Sequence, residues 1–195
     1  MATRSGDRKA QILQTLAQML ETPAAEKITT AALAAKLEVS EAALYRHFSG
    51  KAQMFEGLID FIEQTVFALL NKIVAEEKSG VRQIEAMIGV LLGFAQKKRG
   101  MTRVLIGDAL VNEDERLQAR INQLHDRLEA TLKQALRFGA TQQELVAEID
   151  VTAEANLLMS FVTGRWHQFA KSGFKRDPLE LWKIQWRQLM EGVIV

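Results

Sequence analysis

The 195-residue chain has no cysteine, which excludes a disulfide framework, thiolate metal sites and cysteine nucleophiles in one step. Only two prolines and one tyrosine occur, while Ala, Leu, Gln, Glu, Lys and Arg abound, so breakers are scarce and helix formers are plentiful. No long hydrophobic run exists either. The longest uncharged apolar stretch, Met87 to Ala95, is far short of the roughly 20 residues a bilayer span needs. The first residues, MATRSGDRKAQ, contain no apolar core of a secretory signal, and the expected address is the cytoplasm. Hydrophobic residues at 48% and charged residues at 25% are the balance of a globular protein with a real core.

The formal net charge is only +1, but it divides unevenly. Residues 1–51 carry seven Lys/Arg, Arg4 and Lys27 among them, against five acids, a local +2 that permits contact with nucleic acid without demonstrating it. Nearly every segment reads with a helical period. Ile12, Leu13, Leu16, Ala17 and Leu20 form one face that Thr22-Pro23 should close. Two very short helices are expected over Thr30–Leu37 and Glu41–Phe48, then a long one over Lys51–Glu77. Val81–Lys98 is apolar around its circumference and belongs at the centre of a bundle, followed by a shorter helix over Thr102–Val111. The cleanest stripe is Leu117, Ile121, Leu124, Leu128, Leu132 and Leu136, with Gly139 as its expected stop. Helices over Ile149–Ser172 and Asp177–Glu191 complete an all-α reading. It has an N-terminal three-helix unit over residues 1–52 and a helical body over residues 53–195.

Chemistry concentrates between Lys27 and Phe55. Thr29 or Thr30 can cap the first short helix and Ser40 the second, each hydroxyl accepting a free backbone N–H. Ala42 and Ala43 keep the second helix slim enough for a DNA major groove, while Leu44 and Phe48 anchor it. Tyr45, Arg46 and His47 offer donors on its outer side, and Lys51 stands within reach of a phosphate. Taken singly, these are common caps and a solvated lysine. Taken together at this spacing they form a helix-turn-helix. Thr29, Thr30, Tyr45, His47 and Lys51 are assigned mainly to phosphates, which set register and affinity, and Ser40 is counted with them as a DNA-contact residue. Alanines at the groove-facing start leave sequence choice to thymine methyl contacts and DNA shape.

The serine-capped helix followed by Leu44-Tyr45-x-His47-Phe48-x-x-Lys51 resembles the TetR family of DNA-binding regulators. In one place the pattern departs: the family usually has Gly in the turn where this chain has Glu38, and a left-handed conformation there costs a non-glycine residue about 1 kcal/mol. Blocks in the body, including Leu58–Glu63, Leu91–Phe94, Thr102–Leu105, Arg116–Leu124 and Phe174-Lys175, resemble the nucleoid-occlusion branch of that family. That resemblance implies a homodimer on palindromic chromosomal DNA that antagonises polymerisation of the tubulin-like division protein FtsZ, associated with the nucleoid. It also implies a partner site at Phe61, Thr65, Leu69, Val90, Phe94 and Lys97, although periodicity alone makes most of these core. The family's paired last helices place Phe161, Trp166, Phe169 and Trp182 near a dimer seam. A small-molecule-responsive repressor is the alternative, and it requires an apolar cavity in the body. His47, His125 and His167 have no metal-ligand spacing, and no nucleophile elbow, phosphate-binding glycine loop or zinc-protease motif is present, so neither an enzyme nor a cofactor is expected.

Overall fold

A computed structural model describes residues 5–22, 28–111 and 113–195. The stop expected at Pro23 and the bases Arg4 and Lys27 lie outside them. Among the described residues the chain forms nine α-helices. They are α1 (Ser5–Met19), α2 (Thr30–Lys36), α3 (Glu41–Tyr45), α4 (Lys51–Glu76), α5 (Gly80–Lys97), α6 (Arg99–Leu105), α7 (Glu115–Thr141), α8 (Val151–Lys171) and α9 (Trp182–Leu189). The only extended pairing among these residues is an isolated antiparallel bridge between Leu145 and Ile194. Two compact units emerge, one from residues 1–62 with 98–121 and one from residues 63–97 with 122–195.

In the first unit the apolar face of α1 (Ile12, Leu16, Ala17 and Leu20) is buried as its period requires. Close approach of α6 depends on Gly100, where a Cβ would overlap the Ala17 carbonyl oxygen. Arg103 then donates to the carbonyls of Leu20 and Thr22, both at 3.3 Å, and to Asp108 at 2.7 Å, occupying acceptors that the end of α1 leaves open. The helix expected over Thr102–Val111 is broken. It stops at Leu105, Gly107 takes a left-handed φ of 75°, and a short 3-10 turn follows at Asp108–Leu110. The side chain of Gln118 fills the space where a Cβ on Gly107 would stand, so the break is built into the packing.

The second unit is organised around α5, whose Ile84, Met87, Ile88, Leu91, Leu92 and Ala95 are all buried. Trp166 of α8 buries its ring and satisfies its indole N–H on the Leu91 carbonyl at 3.0 Å. Gly89 and Gly93 face Trp182 and Leu179 at ordinary contact distance, so they serve packing. The part of the α7 leucine stripe in this unit, Leu124, Leu128, Leu132 and Leu136, is buried, as are Leu117 and Ile121, which belong to the first unit. Gly139 does not stop that helix, which runs on to Thr141, with the reversal at Gln143 (φ 61°). Gly139 instead admits the start of α5, since a Cβ on Gly80 would overlap the Gly139 backbone. Glu144, just past the turn, accepts from Val81 N at 3.0 Å, placing a carboxylate at the amino end of α5. The last expected helix begins five residues late, at Trp182. Before it, Arg165 donates to the carbonyls of Asp177 (2.6 Å) and Pro178 (3.3 Å), and Gln96 to the Asp177 carboxylate (2.6 Å). The Asp177 carbonyl also accepts from Glu180 N at 3.3 Å, so this segment is held as a turn tied to Arg165 and Gln96.

Candidate nucleic-acid interface

Helices α2 and α3 are too short to persist alone, so each must be held by caps and by its buried face. Thr29 caps α2 by accepting from Ala32 N at 3.1 Å, and Ser40 caps α3 by accepting from Ala43 N at 3.3 Å. Both hydroxyls offered to DNA in the sequence reading therefore serve the backbone first. Leu33 and Ala34 of α2 and Leu44 of α3 are buried, and Phe48 closes the same core.

The turn between the two helices carries the departure from the expected glycine. Glu38 adopts φ 55°, its N–H reaches the Ala35 carbonyl at 3.1 Å, and the Val39 N–H reaches the Ala34 carbonyl at 3.0 Å. This paired pattern is a Schellman termination, which normally places Gly at the left-handed position. Glu38 supplies it at a strain cost.

On the outer side, Ala42 and Arg46 are exposed, Ala43 and His47 are half-buried, and Tyr45 keeps 47% of its surface open. The helix itself ends at Tyr45, not Phe48. His47 and Phe48 belong to the turn that follows, where their N–H groups meet the Leu44 carbonyl at 2.9 and 3.1 Å. Thr30 donates to the Glu41 carboxylate at 2.6 Å, and the Tyr45 hydroxyl donates to the Thr30 hydroxyl at 3.3 Å. A polar chain thus joins the start of α2 to both ends of α3. Sequence reasoning passed over Glu41, whose proximity to Thr30 depends on how the two helices are folded together. Lys51 opens α4 as expected but is not free: its ammonium donates to Glu113 at 2.5 Å and lies 5.7 Å from the centre of the Phe55 ring.

The six residues assigned to a protein partner divide. Phe61, Thr65 and Leu69 stand four apart on α4, the two apolar ones 42% and 43% exposed and Thr65 half-buried. On α5, Lys97 is exposed and Val90 half-buried. Phe94 is only 7% exposed; it is a core residue, which corrects its expected place in a docking surface. The four aromatic residues expected near a dimer seam pack within the protomer's own last helices. Trp166, Phe169 and Trp182 are buried within the protomer, and half-buried Phe161 rests against Trp182 with ring centres 5.9 Å apart. The large apolar side chains that α8 and α9 expose are Leu157 and Ile184, with Leu181 just before α9. Gly164, on the exposed side of α8, has open space where a Cβ would stand. These were missed because Leu157 sits in the unbroken run Leu157-Leu158-Met159, where period alone cannot say which member faces out.

Among the described residues, no group of His, Asp or Glu is arranged to hold a metal ion, and no helix is long and apolar enough to cross a membrane.

Residues 12–58 match the model of bacterial regulatory proteins of the tetR family, and residues 78–193 match the SlmA-like tetracyclin repressor-like C-terminal domain. The chain is 46% identical over 195 residues to the nucleoid occlusion factor SlmA of Marinomonas sp. (strain MWYL1), covering 100% of this chain and 99% of that one. It is 50% identical over 185 residues to the SlmA of Alteromonas mediterranea, covering 95% of each. Among solved structures, a TetR transcription regulator from Haloarcula marismortui superposes with a TM-score of 0.82 at 14% identity, over 97% of this chain and 100% of that one. The ketosteroid regulator KstR2 of Mycobacterium tuberculosis does so at 0.78 and 13%, over 96% and 95%. At such identities these two share the fold alone.

Proposed function

The chain belongs to the TetR family, in the branch of the nucleoid occlusion factor SlmA, and from that premise we propose that it binds palindromic DNA as a homodimer and, so bound, keeps FtsZ from polymerising over the chromosome. The observation that carries the DNA half is the displayed recognition helix. Capped by Ser40 and braced by Leu44 and Phe48, α3 turns Ala42, Tyr45 and Arg46 outward on a rod thin enough for a major groove. Thr30, Tyr45 and His47 lie at its margins, where phosphate contacts set register. Lys51 belongs to the same margin once its partner yields.

Dimerisation is supported by the exposed Leu157, Leu181 and Ile184 together with the open Gly164. Such side chains on the last two helices form a self-complementary apolar face in a two-fold pair. The FtsZ half is supported by Phe61 and Leu69, exposed on α4 with half-buried Thr65 between them, and separately by Lys97, an exposed cation on α5 suited to an acidic or carboxylate-ended tail. The implied location is the cytoplasm, on the nucleoid.

The test is a selection of bound duplexes from a random pool, followed by sedimentation of FtsZ polymer with and without the DNA-bound protein. A recovered palindrome and a loss of pelleted FtsZ are expected, with Tyr45→Ala abolishing recovery and Phe61→Ala sparing DNA but restoring the pellet. Unchanged filaments, with DNA instead released by a small molecule, would move the assignment to a ligand-responsive repressor.

A further inference from the structure

Of the charged side chains at the proposed DNA margin, one is neutralised inside the protein. The Lys51 and Glu113 side chains are 19% and 12% exposed, whereas those of the Arg120–Asp60 pair in the same unit are 39% and 51% exposed. Glu113 comes from far along the chain and is held in place by its neighbours. Its N–H donates to the Leu110 carbonyl at 3.0 Å. The next residue, Asp114, accepts from Arg116 N at 3.0 Å and pairs with the Arg116 guanidinium at 2.6 Å. That hydrogen-bonded pairing with Arg116 lowers the Asp114 pKa to about 2. The carboxylate of Glu113 is therefore presented from the anchored start of a 27-residue helix.

We infer that Glu113 sets DNA affinity by acting through Lys51, holding its charge neutralised until a DNA phosphate displaces the carboxylate. This rests on the DNA-binding reading. An ammonium has three N–H donors, so a phosphate could join without expelling Glu113. Two anions would then crowd one partly dehydrated cation, which opposes sharing. Displacement is the alternative, and in it the protein gives up its internal ion pair when Lys51 takes a phosphate. Glu113 is thus a positioning residue with a negative sign: it weakens binding to selected and shuffled duplexes alike, because phosphate contacts carry no sequence information.

The experiment measures binding against salt for the wild type, Glu113→Gln, Lys51→Met and the double variant. The probes are a duplex selected by the protein from a random pool and a shuffled duplex of equal length. Gln keeps an acceptor beside Lys51, so folding should persist, and thermal unfolding checks this. Lys51 takes the same phosphate in both proteins once bound, so Glu113→Gln should bind both duplexes more tightly than wild type with the slope of log Kobs against log salt unchanged. Lys51→Met should instead make that slope shallower by about 0.9 per protomer, its deficit against wild type growing roughly 3.5-fold per protomer for each fourfold dilution of salt. In the Lys51→Met background the Glu113 change should have no effect on binding. A slope steepened by Glu113→Gln, equal or weaker binding by Glu113→Gln at all salts, or an effect that survives in the Lys51→Met background would overturn the inference while leaving DNA binding intact. Wild-type protein that binds neither duplex would overturn the DNA reading and this inference with it.

Discussion

Glu38 offers a direct test of the turn on which the recognition helix depends. Its φ of 55° lies in the left-handed region, where an L-residue with a Cβ is disfavoured by roughly 1–2 kcal/mol. Glycine removes that strain but carries extra unfolded-chain entropy of about 0.5–1 kcal/mol. The balance for Glu38→Gly is a net stabilisation of about 0.5–1 kcal/mol. In a chain of this length each kcal/mol moves the midpoint by about 2–4 °C, so Tm should rise by roughly 1–4 °C. The comparison that isolates the cause is Glu38→Ala, which removes the same exposed carboxylate but keeps the Cβ, and should leave Tm within about 1 °C of wild type. Thermal unfolding by circular dichroism at neutral pH reads both. Equal gains from Gly and Ala would mean that charge, not backbone strain, is being relieved. A lower Tm for Gly would mean that the turn is not strained at all. Both variants delete one negative charge near the proposed phosphate margin, so any difference in DNA affinity between them reports turn geometry alone.

Three further outcomes follow from the packing. Ser40→Ala removes the cap of a five-residue helix at a cost of about 1 kcal/mol, and titrated DNA retardation should show roughly fivefold weaker binding, largely restored in Ser40→Asn. Gly80→Ala would drive a Cβ into the Gly139 backbone and should cost about 1–3 kcal/mol in denaturant unfolding, whereas Gly139→Ala, whose nearest obstacle is the flexible end of Glu144 at 3.3 Å, should cost markedly less. The acid limb of stability should contain two opposed contributions. Hydrogen bonds from Ala153 N and Thr152 N hold the Asp150 carboxyl below its ordinary pKa, a stabilisation present above the unfolded value and lost as pH falls through the folded one. Burial pushes Glu154 up, a penalty present above its folded value and relieved as pH falls towards its ordinary one. Asp150→Ala should therefore flatten the loss of Tm on acidification and Glu154→Gln should steepen it; the same slope in both would refute the assignment.

Much of the fold was legible because helical periodicity reports burial directly. The α1 face and the α7 stripe lie where Ile12, Leu16 and the run from Leu117 to Leu136 put them. The helix-turn-helix was legible for a different reason, since its caps and its turn are local chemistry written within about twenty residues. Ends and breaks were less readable. Gly107 breaks a helix and Gly139 does not, yet both are glycines inside apolar patterns. What separates them is a distant partner: the Gln118 side chain beside one and the Gly80 backbone beside the other.

The same limit explains which site residues were misplaced. A period tells how much of a helix is apolar but not which neighbour covers it. Phe94 and Phe61 are both aromatic residues on apolar helices, and only packing distinguishes the 7% exposed core residue from the 42% exposed surface one. Trp166 and Leu157 are the corresponding case on α8: the larger side chain is buried inside the protomer, and the smaller one is left outside. Charge pairing follows the same rule. Lys51 and Glu113 lie 62 positions apart, so no local pattern could show that the expected phosphate ligand already has an anion. If that pair governs access to DNA, the strength of binding is set by a residue outside the helix-turn-helix, and substitutions confined to residues 29–51 would sample only the attractive half of the interaction.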